Sequence, residues 1–423
     1  MEVRLRDGKS NLQPPTSNFH IRTPRQRIRL LLLRLIPYLT WPLKLRRGHS
    51  LIVRLSAHDE VRSPSVDRIL LIRPDHLGDL LFTTPAIRLL RDAFPQARIT
   101  YLVGPWSKAV VKNNPHIDEI ALCPFPGFTR RKKRSALEPY VILLQYARQL
   151  RQKNFDLAIV LRFDHWWGAL LAYLAGIPRR VGYDVAEVRP FLTDVSPYSS
   201  GRHEVEQNLA LLEWVTSSEL QVTRTLLEFN PTAEDKVFAE GYLGGHGVEE
   251  EDLLVCIHPG TGAPVKLWRN EGWAQVADAL ARRYGAKVIL TGSAEEAPLC
   301  RVVAQEMTTQ PIVAAGETSL GGLAAIMARC RLVLGVDSGP LHLAVALGAP
   351  TVHLFGPVDS RAFGPWGSPA HHIVVASEMN CIPCNRLDYP PAELHQHPCV
   401  RNITVEQVLE AAERLIIQET LGC

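Results

Sequence analysis

A chain of 423 residues, 46% hydrophobic and 21% charged, has the material for two or three packed cores and falls outside the wholly disordered, collagenous and disulfide-scaffold classes. Its net charge of +4 is uneven: residues 1–62 hold 13 Lys/Arg against 4 Asp/Glu, and the remainder holds 34 against 39. The body has no evident basic face, so nucleic acid is not an expected partner. Eight cysteines fit a reducing, cytoplasmic setting. Cys256 and Cys330 read as small buried hydrophobes in or beside apolar runs.

Residues 1–20 are polar, contain Pro14-Pro15 and are expected to be disordered. Residues 26–47, QRIRLLLLRLIPYLTWPLKLRR, mix Leu, Ile and Trp with Arg25, Arg27, Arg29, Arg34, Lys44, Arg46 and Arg47 on and inside their flanks. Arg34 and Pro37 interrupt the apolar stretch, and no cleavage site follows, which speaks against a signal peptide. No uninterrupted apolar run reaches the roughly 18 residues of a membrane span. The pattern suits a segment lying in the headgroups of an anionic membrane, on the cytoplasmic face. The alternative is an arm that packs on its own domain.

From residue 66 the pattern alternates. Strands are expected at 68–73, 98–103, 156–161, 253–258, 286–291, 331–336 and 350–355, with helices between many of them, among them 80–94 and 270–283. Apolar strands alternating with helices imply α/β architecture with doubly wound parallel sheets. The alternation breaks near 220–250, where an acidic helical stretch precedes a fresh strand. The expected organisation is a basic extension at 1–62, one lobe at 63–249 and a second at 250–423, with a ligand cleft between the lobes.

Three strand–turn–helix segments carry candidate chemistry. In RPDHLGDLLFTTP (73–85), Gly78 permits a tight turn and places Asp79 at a helix start, as a helix cap or as a general base toward an acceptor hydroxyl. Asp75 is expected to hold the turn and His76 to face a ligand. In HPGTGAPVKLW (258–268), the glycines around Thr261 and Gly262 let backbone N–H groups approach an anion, and Lys266 supplies a point charge for phosphate. The alternative there is a glycine turn beside a solvated lysine. In GVDSGPLHLAVALG (335–348), Asp337 or Ser338 can cap a helix whose first turn suits Pro340, and its free N–H groups make an anion site. His342, one turn on from Ser338, either touches a phosphate oxygen or packs.

Three further features are weaker. LTGSAEE (290–296) offers Glu296 or Glu295 to ribose hydroxyls, or simply a helix-start charge. Cys381, Cys384 and Cys399, with His395 and His397 nearby, could hold a structural zinc, or could be unliganded loop cysteines. The basic run at 130–134, which includes Arg130 and Arg131, could meet an anionic acceptor or the membrane surface, or be solvated.

RILLIRPDHLGDLLFTTPAIRLL, HPGTGAPVKLW and GVDSGPLHLAVALGAPTVHLFGP, in that order, resemble glycosyltransferase family 9, the ADP-heptose:lipopolysaccharide heptosyltransferases. The likeness runs from about residue 67 to 415. It implies a GT-B fold of two Rossmann-like lobes, acceptor in the first and sugar nucleotide in the second, with a final helix near 404–418 returning onto the first lobe. It implies an inverting single displacement. Asp79 matches the family's base, Lys266 the lysine at the donor diphosphate, and Asp337, Ser338, Gly339 and His342 the donor motif. Thr261 and Gly262 match the phosphate-side turn, and Glu296 matches the ribose-binding acid loosely. His76, Arg130 and Arg131 are acceptor-side candidates. No catalytic cofactor or metal is expected, because no DxD motif precedes a cleft position. The expected partners are ADP-heptose, a lipid-linked or glycan acceptor of the lipopolysaccharide-core type, and the anionic inner membrane surface. A sugar-nucleotide 2-epimerase of similar fold and a non-catalytic sugar-nucleotide-binding protein are the alternatives.

Overall fold

The computed structural model describes residues 66–129, 135–216 and 225–420. The N-terminal arm and the basic run with Arg130 and Arg131 lie outside the described residues. The chain divides after Val61, and every described element belongs to the unit Arg62–Cys423.

The first sheet contains β1 (Arg68–Arg73), β2 (Arg98–Val103), β3 (Glu119–Leu122), β4 (Leu157–Val160), β5 (Arg179–Tyr183) and β6 (Asp194–Ser196). Its spatial order is β3-β2-β1-β4-β5-β6, all parallel. The helices of this part are α1 (Leu77–Leu81), α2 (Thr84–Ala93), α3 (Lys108–Val111), α4 (Glu138–Arg151), α5 (Trp166–Leu174) and α6 (Glu204–Thr216). After α7 (Ala233–Gly245) comes the second sheet, with β7 (Leu254–His258), β8 (Lys287–Leu290), β9 (Ile312–Val313), β10 (Leu332–Val336), β11 (Thr351–Phe355) and β12 (His372–Ala376). Its order is β12-β11-β10-β7-β8-β9, again parallel. Its helices are α8 (Asn270–Tyr284), α9 (Ala297–Glu306), α10 (Leu320–Arg329), α11 (Gly339–Ala346), α12 (Ser360–Phe363) and α13 (Val405–Thr420). Both sheets follow one winding. The order reverses beside the first strand of each, between β1 and β4 and between β7 and β10, and ligands of such sheets bind at the carboxyl ends of those strands.

Local chemistry explains the element boundaries. The helix expected at 80–94 is two helices. Pro85 cannot donate to Leu81, and the Thr84 hydroxyl donates to that carbonyl instead at 2.7 Å; the Thr83 hydroxyl donates to Leu80 O at 2.7 Å. α7 starts on a reciprocal capping box between Thr232 and Asp235. α8 stops at Gly285, whose φ of 67° is the left-handed conformation that glycine adopts without strain.

Two expectations about organisation fail. The final helix, α13, does not return to the first sheet. Val408, Leu409, Ala412, Leu415 and Ile416 bury its apolar stripe in the same cluster as Trp268 and Leu280 of the second lobe. Trp268 Nε1 donates to Ile403 O at 2.9 Å, and Arg283 pairs with Glu413 at 2.5 Å, which pins both ends of that packing. The second correction concerns α7, placed in the first lobe by the 249/250 boundary. It packs on α10 of the second lobe, where Phe238 lies against Gly322, and Tyr242 donates to Glu317 at 2.5 Å. The acidic composition of 230–252 carried no sign of which sheet it would cover.

The lobes meet where α1 crosses α11. One apolar cluster runs through both, from Leu80, Leu81 and Phe82 to Leu341, Leu343 and Ala344. Glycine lets the two helices approach closely at the crossing. A Cβ on Gly78 would lie 3.0 Å from the His342 ring, and one on Gly339 would lie 3.0 Å from Leu77 Cβ. Gly78 thus serves close approach of two backbones rather than an unusual turn dihedral.

Candidate active site

The crevice at β1 and β4 is built from charge. Arg73 ends β1 and is fully buried. Its Nε pairs with Asp75 at 2.6 Å and its Nη1 with Glu204 at 2.9 Å, and Nη1 also donates to Leu161 O at 2.6 Å. Its Nη2 reaches Asp79 only at 3.8 Å. Burial opposes the charge on Arg73, but the surrounding carboxylates outweigh it and keep the guanidinium protonated. Asp75 is buried too. Desolvation would raise its carboxyl, yet Arg73 and Arg162 hold it below the usual range. Its backbone carbonyl accepts from Trp106 Nε1 at 3.0 Å and from the Ser107 hydroxyl at 2.6 Å, which fixes the turn.

Asp79 differs from its neighbours. It occupies the first turn of α1 but does not cap it; His76 holds the N-cap position with extended backbone and no side-chain hydrogen bond. About a third of the Asp79 side chain (32%) faces solvent in the crevice. Desolvation, and next the Asp75 charge, push its carboxyl above the usual aspartate value against the pull of Arg73, Arg162 and His76. Burial raises the Glu204 carboxyl as well, but Glu204 is sealed against Arg73, so Asp79 is the raised carboxylate that solvent reaches. His76 is exposed, 5.8 Å from the Trp106 ring.

The wall opposite Asp79 comes from the loop after β4. Arg162 pairs with Asp75 and Asp164 and lies over the Phe128 ring at 5.2 Å. Phe163 stacks on Tyr198 at 4.2 Å with 16° between the planes. His165 is buried against Phe125 and Trp167, and burial pushes its imidazole down to about 3, so it is neutral. Arg73, Arg162, His165 and Glu204 were not singled out in the sequence. A strand-ending Arg after four apolar residues was the one available signal; Arg162 stands 87 residues from Asp75, and Glu204 comes from a separate helix to reach Arg73.

The crevice at β7 and β10 is built differently. His258 ends β7, and the turn that follows carries Thr261 and Gly262; the Thr261 hydroxyl donates to Asp337 O at 3.4 Å. Lys266 closes a short 3₁₀ turn, Pro264–Lys266, and its Nζ pairs with Asp337 Oδ2 at 3.1 Å. Asp337 Oδ1 lies 3.8 Å from His342 Nε2. Burial would raise the Asp337 carboxyl, but His342 and Lys266 hold it below its ordinary value. Ser338 stands at the N-cap of α11, yet its buried hydroxyl caps nothing and has no partner among the described residues. An unpaired hydroxyl, free helix amides and an ammonium at one strand end make a site for an anion.

Glu296, not Glu295, faces this crevice. Its carboxylate lies where a Cβ on Gly260 would be and accepts from Ser293 N at 2.8 Å, while Glu295 is exposed. His258 Nε2 is 4.0 Å from Glu296, and burial lowers the His258 pKa despite that neighbour. Asp337, Lys266, Ser338, Gly339 and His342 therefore cluster around one strand end with Thr261. Through the Gly78–Gly339 crossing, His342 sits against α1 at Gly78, the residue before Asp79.

Cys381 and Cys384 are exposed, Cys399 is buried beside Gly356 and Val400, and His397 stacks on Tyr389 at 3.6 Å. Among the described residues no group of three or more His, Cys, Asp or Glu is placed to hold a metal ion. No helix among them is long and apolar enough to cross a membrane.

Comparison with known proteins bears on this geometry. Residues 143–390 match the family described as "Glycosyltransferase family 9 (heptosyltransferase)". Lipopolysaccharide heptosyltransferase 3 of Escherichia coli (strain K12) is 31% identical over 352 residues, which cover 81% of this chain and 96% of that one. The crystal structure of a family 9 glycosyltransferase from Veillonella parvula superposes with a TM-score of 0.72 at 29% identity, covering 84% of this chain and 99% of that one. The ADP-heptose lipopolysaccharide heptosyltransferase II of E. coli shares the fold, with a TM-score of 0.67 at 24% identity over 84% of this chain and 99% of that one.

Proposed function

Because the chain belongs to glycosyltransferase family 9, we propose that it transfers a heptosyl unit from ADP-heptose to a hydroxyl of a lipopolysaccharide-core acceptor, with inversion at the anomeric carbon. The observation that carries the reading is the pairing of one free, basic carboxylate in the first crevice with an anion site in the second, joined at the Gly78–Gly339 crossing.

The acceptor lies in the first crevice. The stacked rings of Phe163 and Tyr198 are read as its contact to a sugar ring, and the Arg162 guanidinium beside them as its contact to an anionic substituent. The donor diphosphate lies in the second, against Thr261, Gly262, Lys266, Ser338 and Gly339, with Glu296 toward the ribose hydroxyls and Asp337 fixing Lys266 and His342. Asp79 takes the proton of the attacking hydroxyl. The new bond forms from acceptor oxygen to anomeric carbon as the bond from that carbon to the diphosphate oxygen breaks. Negative charge grows on the departing oxygen, where Lys266 and the α11 N-terminus already point. Asp79 gains its basicity from burial and from Asp75, so the active form is its carboxylate, and rate is lost as pH falls through its raised value.

No step of this reading needs a metal, and turnover is expected to survive a chelator. The basic arm at 26–47 is read as an attachment to the anionic inner face of the membrane, where a lipid-linked acceptor is presented. The test is direct. The full chain is incubated with ADP-heptose and heptose-deficient lipopolysaccharide core, and the acceptor is weighed by mass spectrometry. Gain of one heptosyl unit with release of one ADP supports the reading. ADP-heptose consumed without any gain in acceptor mass contradicts it.

A further inference from the structure

Helix α4 is amphipathic twice over. Leu143, Ala147 and Leu150 are buried on one face, and the helix packs on α5. On the outer face Leu137, Tyr140, Val141 and Leu144 are 69, 52, 61 and 52% exposed, at the i, i+3, i+4, i+7 spacing that lines up one apolar stripe. Scattered exposed apolar residues need no explanation, but four on one helical stripe mark a surface that meets something.

Charge selects the partner. Residues 130–153 hold eight Lys/Arg and a single acidic residue, Glu138, in a body that is otherwise mildly acidic. A second copy of this face would bring the same positive segment against itself. The chain's own N-terminal segment, with 13 Lys/Arg against 4 Asp/Glu, would be repelled in the same way. An apolar stripe that follows five consecutive cations in the sequence suits an anionic bilayer, where the side chains enter the acyl boundary and the cations meet headgroup phosphates.

Position agrees. α4 leads from β3 to β4, so its first turn stands at the carboxyl edge of the sheet, the edge that carries the crevice. Trp167 Nε1 donates to Pro139 O at 3.2 Å, tying that first turn to α5, which begins just after Arg162 and His165. The stripe therefore starts beside the crevice assigned to the acceptor.

We propose that the outer face of α4 docks on an anionic lipid bilayer and holds the acceptor crevice at the membrane surface. The proposal rests on the reading of the first crevice as an acceptor site for a lipid-linked glycan. Hydroxyl-radical footprinting of the full chain, with and without vesicles, tests it at the side chains themselves. Oxidation of Tyr140 and Leu144 is expected to fall several-fold with phosphatidylglycerol-containing vesicles and to stay unchanged with pure phosphatidylcholine. Equal oxidation while the protein sediments with the anionic vesicles would overturn the proposal, because attachment would then run through another segment. Equal protection by neutral vesicles, or protection that rises with protein concentration in their absence, would overturn it in favour of plain apolar insertion or self-association. As a second reading, L137S/V141S/L144S should weaken vesicle binding by about tenfold or more. The same variant should keep wild-type turnover on a de-acylated, water-soluble acceptor. Absence of that turnover in the wild type would count against the transferase reading alone, since footprinting does not depend on it.

Discussion

The two crevices sit at the same place in the same winding and are made of different matter. The one at β7 and β10 is short-range. A glycine turn, one lysine and one helix start, each within about a dozen residues of a strand end, compose it. The one at β1 and β4 is long-range. Arg73 gathers Asp75, Leu161 and Glu204 into one buried cluster, and Asp79 is left over at its edge. A nucleotide diphosphate is a constant feature that backbone amides and a point charge satisfy. A base that must act at a variable acceptor needs its basicity tuned by fixed charges around it.

That contrast can be broken at several points. The largest effect is expected from Asp79→Asn, which keeps the shape and removes the base: turnover should fall about a thousandfold or more, with the donor still bound. An unchanged rate would place the base elsewhere. Next comes Asp75→Asn, which leaves Arg73 and Arg162 short of a buried partner and should cost about 3 kcal/mol in denaturant unfolding. In the protein that still folds, the repulsion from Asp75 that raises the Asp79 carboxyl is gone. The acid limb of kcat/KM, expected above the ordinary aspartate range in the wild type, should therefore move to lower pH. A limb that stays put would exclude Asp75 from tuning the base.

On the other side, Lys266→Ala should weaken ADP-heptose binding by roughly 10- to 100-fold, with little change in the acid limb. Equal affinity would take Lys266 out of the phosphate site. The smallest effect is remote from both crevices. Asp278 accepts from the backbone N–H groups and hydroxyls of Thr308 and Thr309; burial would raise it, but these bonds depress its carboxyl to about 2. Its folded pKa is lowered, so the stabilisation is present above the usual aspartate range and is lost as pH falls toward 2. Asp278→Ala should cost about 2 kcal/mol near neutral pH and leave kcat unaltered, which urea titration and a rate measurement check together.

The same contrast explains what could be read from the residue order. Lys266, Asp337, Ser338 and His342 belong to contiguous segments, each beside a strand that its apolar run had marked, and the structure brings them together. The place of Asp79 just after a strand end was legible for the same reason. Its tuning was not, because Arg162 and Glu204 enter from segments whose local pattern carries no mark of the contact. Short strands with polar ends, such as Asp194–Ser196, lack the apolar run that betrays a buried strand. The packing of α13 was misplaced because an amphipathic stripe specifies that a helix is covered and leaves open by what.

The account turns on a division of labour between Asp79 and Lys266. Calorimetric titration of ADP-heptose into the Asp79→Asn and Lys266→Ala proteins, each shown to be folded, tests it most directly. The account predicts near wild-type affinity for Asp79→Asn, with transfer abolished, and weakened affinity for Lys266→Ala. A loss of donor affinity in Asp79→Asn as large as that in Lys266→Ala would contradict it and make Asp79 a donor ligand.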